Sequence, residues 1–364
     1  SLESITQKLT EVLTDDAFRE ELERRALIQS QSFSWDKTAI AAIEAIERLI
    51  RKTQALPKVI KRPQRPRLAY VSPLPPARSG ISDYSAELLP ELAAHYQIDA
   101  IVAHTFVDTP DADINYKVRS VAWFEDHAHL FDRVIYHFGN STFHEHMFHL
   151  IERFPGTVVL HDFFLSGIVA NMEVHNTASI FWINALYHGH GYSAVSERVN
   201  GADTADAVWK YPCNLNVLQQ AQGIIVHSNY SIRLAQRWYG ESSNLKWAEI
   251  PLLRTPKFAD ARKKPGIRKH LGYSTDDFIV CSFGLLGPSK LNHRLLESWL
   301  ACDMAQDENC HLVFVGENAA GSYGEDFLKL IEQSSASARV HITGWADTET
   351  FNAYLQIADV AVQL

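Results

Sequence analysis

From residue 67 onward, short apolar runs alternate with stretches of helical periodicity, and this alternation constrains the fold more than any other feature. Residues 67–71, 98–103, 133–137, 157–160 and 223–227 read as strands, and 83–95, 143–154 and 231–239 as helices. Repeated β-α-β order predicts a parallel sheet covered by helices on both faces. Residues 254–277 break the pattern with Pro256, Pro265 and a cluster of Lys and Arg. Alternation then restarts, with strands at 278–283, 311–315, 340–343 and 360–362 and helices at 294–301, 327–333 and 348–357. A second α/β domain therefore starts near residue 276.

The first 66 residues have another character. Residues 5–52 read as helix, with Leu9, Leu13, Phe18, Leu22 and Ala26 at helical spacing. Ser34 is the expected N-cap of a further helix carrying Ala39, Ile40, Ile43, Ile46 and Ile50. Two helices alone bury little, so this segment should pack on another body. Residues 51–67 hold Arg51, Lys52, Lys58, Lys61, Arg62, Arg65 and Arg67 with three prolines and no acid. That composition suits a solvated tether, the favoured reading, or a basic strip touching anionic lipid headgroups. The boundaries read from sequence are a helical segment at 1–52, a basic linker at 53–66, a first α/β domain at 67–253, a linker at 254–275 and a partial second α/β domain at 276–364.

Composition removes several function classes. The 364 residues suffice for two or three domains. A net charge of −9 argues against a general nucleic-acid binder. There is no apolar run of the roughly 18 residues that spans a bilayer. Cys213, Cys281, Cys302 and Cys310 form no C-x-x-C pair, which suggests a reducing cytoplasm. His144, His146 and His149 share a helix-like stretch, but no carboxylate completes a ligand set, so no metal is expected. His188-Gly189-His190-Gly191-Tyr192 reads as a Gly-rich loop. The chain starts at Ser1 and stops at Leu364, just past an apolar run, so a piece of something longer is expected.

Four constellations carry chemistry. After the first strand, a Pro-rich loop from Ser72 runs through Arg78 and Ser79 to Gly80, with Ser82 as the expected N-cap of a helix. A helix N-terminus offers free N–H groups, and Gly80 lets a ligand approach the backbone. No dinucleotide fingerprint or P-loop is present. Second, His137-Phe138-Gly139-Asn140 and His161-Asp162 sit at the carboxyl ends of adjacent strands, where open α/β sheets bind ligands. A capping role for each histidine is the plainer alternative. Third, Gly284, Leu285, Gly287 and Lys290 form a Gly-rich strand end with one point charge suited to a diphosphate. Fourth, Thr343-Gly344-Trp345 follows a strand.

In this order the constellations resemble the GT-B glycosyltransferases of family 4. The runs AYVSPLPPARSGISDYSAELLPELA (69–93), FGLLGPSKLN (283–292), HLVFVGE (311–317) and VHITGWADTETFNAYLQIADVAV (340–362) carry the resemblance. It implies two Rossmann-like domains facing a cleft and a nucleotide sugar held mainly by the second. It also implies retention of configuration and no cofactor or obligatory metal. By position, Gly80, Arg78 and Ser79 match the loop near the donor phosphates, and His137 the strand-end histidine near the reacting sugar. Gly284 matches the loop-opening glycine, Lys290 the diphosphate lysine, and Gly344 a donor-side glycine. Asp162 or His161 is expected to orient the acceptor. Leu285 stands where the family usually has Arg, and the family's paired glutamates would follow residue 364.

Residues 5–50, with Phe33-Ser34-Trp35, resemble the closing helices of such an enzyme. They suggest a preceding glycosyltransferase domain in a tandem protein of bacterial surface polysaccharide synthesis. The expected partners are a nucleotide sugar, for which GDP-mannose is a guess, and a glycan or lipid-linked glycan acceptor. Peripheral contact with the inner membrane is an additional expectation, and nucleic acid is not. A non-catalytic glycan-binding module and a nucleotide-sugar epimerase are the rival readings.

Overall fold

The computed structural model describes residues 2–31, 35–53, 65–103, 115–175, 180–201, 206–241, 246–252 and 262–364. The chain divides into two compact units, one of residues 33–255 and the other of 1–32 with 256–364. Three helices come first: α1 (Leu2–Thr14), α2 (Asp16–Gln31) and α3 (Trp35–Thr53). The stretch read as a single helical segment is thus shared out, because its faces pack on different bodies. The Phe33-Ser34 part of the motif and most of the basic linker lie outside the described residues.

The unit of 33–255 contains β1 (Arg67–Val71), α4 (Gly80–Ala93), β2 (Gln97–Val102), β3 (Lys117–Ser120), α5 (Val121–His127), β4 (Arg133–Phe138), α6 (Glu145–Arg153) and β5 (Thr157–Leu160). A helical excursion follows, made of α7 (Ser166–Val174), α8 (Phe181–His190), α9 (Tyr192–Asn200), α10 (Asp206–Lys210) and α11 (Leu215–Gln220). The unit closes with β6 (Gly223–Val226), α12 (Asn229–Tyr239) and β7 (Trp247–Glu249). The seven strands are parallel, in the order β3-β2-β1-β4-β5-β6-β7. Strand order reverses between β1 and β4, which makes their carboxyl ends the crevice of a doubly wound sheet.

Both faces of this sheet are covered, as its apolar runs require. On β1, Ala69 and Val71 join one core with Tyr136, Phe138 and Leu160, while Leu68 and Tyr70 join another with Leu88, Leu89 and Ile135. Helix α3 closes the second face. Its residues Ala39, Ala42, Ala45 and Ile46, at helical spacing, are buried, and the helix packs on α4 and β6. At the amino edge, Arg67 and Arg119 flank the buried Asp99 at 3.3 and 3.2 Å.

The second unit holds α13 (Lys264–His270), β8 (Phe278–Phe283), α14 (Asn292–Leu300), β9 (Cys310–Val315), α15 (Ser322–Glu332), β10 (Val340–Ile342), α16 (Thr348–Ile357) and β11 (Val360–Ala361). Its parallel sheet has the order β10-β9-β8-β11, which again reverses beside the first strand of the unit. Helix α1 packs on α14, and Thr10 Oγ1 lies 3.4 Å from the Cys302 sulfur. Residues 264–270, within the stretch read as a linker, form α13 and pack on α16. The rest of that stretch, up to residue 261, lies outside the described residues. The pair of α/β units with parallel sheets is the Rossmann-like pair that the sequence predicts.

Two local readings are corrected. Ser79, not Ser82, caps α4: it is extended (φ −146°, ψ 138°), and its Oγ accepts from the Ile81 N–H at 3.2 Å. The helix starts as soon as the Pro-rich loop ends, which buries Ser82 inside it. His188-Gly189-His190 is the last turn of α8 rather than a loop, and Gly191 at φ +79° makes the joint to α9. His190 is held there by the rings of Tyr211, Trp238 and Tyr239.

Candidate active site

In the first unit the candidate residues converge on the carboxyl ends of β1, β4, β5 and β6. His137 is the fifth residue of β4, while His161 and His227 directly follow β5 and β6. Parallel pairing sets Leu160 beside Val226, so His161 and His227 come in register, and period-2 geometry turns all three imidazoles to the α4 face. His137 Nδ1 lies 3.0 Å from His161 Nε2, and His161 Nδ1 lies 3.0 Å from His227 Nε2. His227 Nδ1 lies 2.9 Å from the Ile250 carbonyl. The Tyr84 ring of α4 packs against all three, at centroid distances of 6.0, 5.1 and 5.7 Å. Tyr70 covers His137 from β1 at 4.4 Å and donates its hydroxyl to Ser85 at 3.0 Å.

Burial sets the electrostatics. His137 is fully buried, and desolvation, with His227 and His144 adding to it, holds its imidazole well below the usual histidine range. His161 is held well below that range by burial and then by His137. His227 is lowered by burial, against a partial offset from the Ile250 carbonyl. Burial pushes the Tyr84 hydroxyl up to about 12 and Tyr70 well above its ordinary value, so both stay protonated at neutral pH. His161 spends both ring nitrogens on other histidines, so its contribution is to connect.

Asp162 is exposed, unlike His137, and its carboxylate accepts from the Asn140 N–H at 2.9 Å. Asn140 in turn accepts from the Ile168 N–H at the start of α7, at 2.9 Å. Gly139 between them is crowded by side chains. A Cβ there would lie 2.3 Å from Ile81 Cδ1, 2.9 Å from His144 Nε2 and 3.3 Å from an Asp162 oxygen. The turn that opens α4 thereby reaches the ends of β4 and β5. At Gly80 a Cβ would meet nothing within 4 Å, so packing does not demand that glycine; Arg78 and Gly80 are exposed. His227, Tyr84 and His144 are the members that sequence reasoning did not assign to this site. For His227 the signal existed, since its apolar run ends in a polar stop as the run before His161 does.

In the second unit the donor-side candidates also share a carboxyl edge. Gly284 follows β8 at φ +110°, and Gly344 follows β10 at φ +72°, both left-handed conformations that favour glycine. Gly316 ends β9 beside Gly284, where a Cβ would lie 1.9 Å from the Gly284 carbonyl oxygen. Thr343 Oγ1 accepts from the Gly316 N–H at 3.0 Å and donates to the Gly344 carbonyl at 2.8 Å, tying two loops together. Lys290 is exposed at the end of the 3-10 turn Pro288–Lys290, and Leu285 is 54% exposed on the same loop. In the helix that carries His146 and His149, His149 faces Glu125 at 3.6 Å and Arg153 at 3.2 Å.

Two doubly wound units with ligand-type loops at their strand ends define the structural class. Residues 263–364 match the family described as Glycosyl transferases group 1, so this stretch is glycosyltransferase sequence. No curated protein matches the chain. Among solved structures, the chain is similar to HepE (Alr3699) of Anabaena in complex with UDP and glucose. That match has 15% identity and a TM-score of 0.48, covering 82% of this chain and 74% of the other. It is also similar to WaaG, a glycosyltransferase involved in lipopolysaccharide biosynthesis, with 14% identity, a TM-score of 0.48 and the same coverage. A glycosyltransferase of Rickettsia africae shares 10% identity, with a TM-score of 0.49 over 82% of this chain and 73% of the other.

Proposed function

We propose that the chain belongs to a retaining glycosyltransferase of family 4. It moves a sugar from a nucleotide-diphosphate donor to a glycan or lipid-linked glycan in bacterial surface polysaccharide synthesis. The observation that carries this reading is the group 1 match over 263–364, the stretch whose strand-end loops hold Gly284, Lys290 and Gly344. Lys290 offers a point charge to the diphosphate where leaving-group charge develops, whereas the N–H groups of Gly284, Leu286 and Gly287 are spent on the Val315 and Glu317 carbonyls and on Asn292 Oδ1. In the other unit, Asp162 orients an acceptor hydroxyl beside the α4 turn of Arg78, Ser79 and Gly80. Retention with the leaving phosphate taking the acceptor proton needs no side-chain nucleophile and no metal. The resemblance of the helices of 1–52 to closing helices marks, in this reading, a preceding transferase domain of a tandem protein, while in this chain α1 packs on α14 and α3 on α4 and β6. The setting is the cytoplasm, with the basic stretch of 51–67 as a solvated tether. No helix among the described residues is long and apolar enough to cross a membrane.

The test is transfer of radiolabelled sugar from GDP-mannose, UDP-glucose and dTDP-glucose to a glycan acceptor pool, with Lys290→Ala alongside. We expect one donor to support turnover and the variant to lose at least about tenfold, as removal of one charge-stabilising group does. Equal turnover in the variant would remove Lys290 from the assignment. Leu285, apolar and 54% exposed on the same loop, favours a second reading as a non-catalytic glycan-binding module. Glycan binding without turnover of any donor would select it.

A further inference from the structure

The three strand-end histidines have a property beyond any role in sugar transfer. A carbonyl oxygen only accepts, so the Ile250 contact requires a proton on His227 Nδ1. A neutral His227 then has a bare Nε2, which must accept from Nδ1–H of His161 across 3.0 Å. A neutral His161 in turn has a bare Nε2 that accepts from Nδ1–H of His137, again across 3.0 Å. The last lone pair falls on His137 Nε2, which is buried and meets no hydrogen-bond partner among the described residues. One backbone carbonyl at the far end thus fixes the tautomers of three side chains.

We propose that His137, His161 and His227 act as one protonic unit, set by the Ile250 carbonyl and able to pass a proton from the buried end to the partly exposed one. The transfer balances in three moves. A proton binds His137 Nε2; the Nδ1 proton of His137 moves to His161 Nε2; the Nδ1 proton of His161 moves to His227 Nε2. No electrons change hands. The chain then carries one positive charge on His227, whose Nδ1–H still rests on Ile250. The cation ends on a partly exposed ring rather than in the fully buried His137.

Other titratable groups face this chain, and one of them, His144, adds to the depression of His137 and His161. From α4 comes Tyr84, from β1 Tyr70, and ahead of α6 the buried His144; both phenols stay protonated. Asp162, next to His161 in sequence, points its carboxylate at the Asn140 N–H and is exposed. Helix α3, packed on β6, buries Thr38 and its alanines; its Asp36, Glu44 and Arg48 are exposed and Glu47 half-buried. The hydrogen-bond logic starts from neutral rings, and desolvation of the three imidazoles supplies that neutrality.

The test is independent of sugar transfer, because its readout is the imidazole nitrogens themselves. In protein labelled with 15N-histidine and assigned by single substitutions, two-bond correlation spectra at pH 7.5 should show all three residues as Nδ1–H tautomers. An Nε2–H tautomer at His137 or His161 overturns the proposal. On acidification the three sets of signals should move with one common midpoint, and three separate midpoints overturn the relay. In His161→Phe the His137 and His227 midpoints should separate, and a shared midpoint there counts against coupling through His161. Should that variant not fold, the tautomers and midpoints of the unsubstituted protein decide the matter.

Discussion

At Gly316 a hydrogen is all that the space allows. The Cβ of any other residue would lie 1.9 Å from a backbone oxygen, and no rotamer change relieves a clash with backbone. Gly316→Ala is expected to lower unfolding stability by about 1–3 kcal/mol, the range for overpacking, and to displace the Gly284 loop. Urea unfolding measures the first effect and loss of donor binding the second; an unchanged midpoint would show that the loop yields freely. The sequence shows Gly316 only as one glycine after an apolar run. Its demand comes from Gly284, 32 positions earlier, brought alongside by the register of β8 and β9. Lys290 is the opposite case: its type and its place in a Gly-rich strand end were legible without coordinates.

At the scale of elements, α13 is fastened to β11 by a buried guanidinium. Arg268 reaches the Asp359 carboxylate at 2.6 Å, and the carbonyls of Thr275, Asp277 and Ile357 at 2.9, 2.7 and 3.2 Å. Asp359 also accepts from Lys264 at 2.8 Å and from the Ile279 N–H at 2.9 Å. Removing one partner of a buried pair costs about 3–5 kcal/mol, and Lys264 keeps part of the compensation here. Arg268→Ala should therefore lose about 3 kcal/mol, read from the denaturant midpoint. A loss below about 0.5 kcal/mol would mark the clasp as an ordinary surface pair. From sequence, 264–270 read as linker because Pro265 and a run of basic residues resemble a tether. Proline is tolerated in the first turn of a helix, and only the partner Asp359, 91 positions away, turns Arg268 into a fastening. The start of α4 shows the same limit: the sequence pointed to Ser82 as the cap, and the earlier end of the Pro-rich loop made it Ser79.

At the scale of the whole molecule, buried neutral histidines link stability to pH. His137, His161 and His227 are held below their ordinary value, while burial pushes His144 and His190 down to about 4. Unfolded histidines titrate near 6.5, so below that pH the unfolded chain binds more protons than the folded one. Their contribution is constant above about pH 7 and falls as pH drops from about 6.5 toward 4. Thermal unfolding across that window should show Tm decreasing on acidification, and a flat or rising Tm would contradict neutral burial.

The sequence by itself determined the class of the fold. Apolar runs that need cover on both faces leave few solutions besides a parallel sheet wrapped by helices, and the break near 254–277 made two of them. It also placed polar and glycine residues at strand ends, since an apolar run that stops in His or Gly marks its own carboxyl edge. Strands as short as β3 and the five-helix excursion before β6 were not legible, because their burial comes from neighbours rather than from their own pattern. The tertiary structure decided which strand ends meet. Strand order put β4, β5 and β6 side by side and made three histidines one hydrogen-bonded chain, although 90 positions separate the first from the last. It also buried His137, which sequence reading placed at the reacting sugar, and left Asp162 exposed. Periodicity reports the face a residue prefers; contact between distant residues depends on register and strand order, which no local pattern encodes.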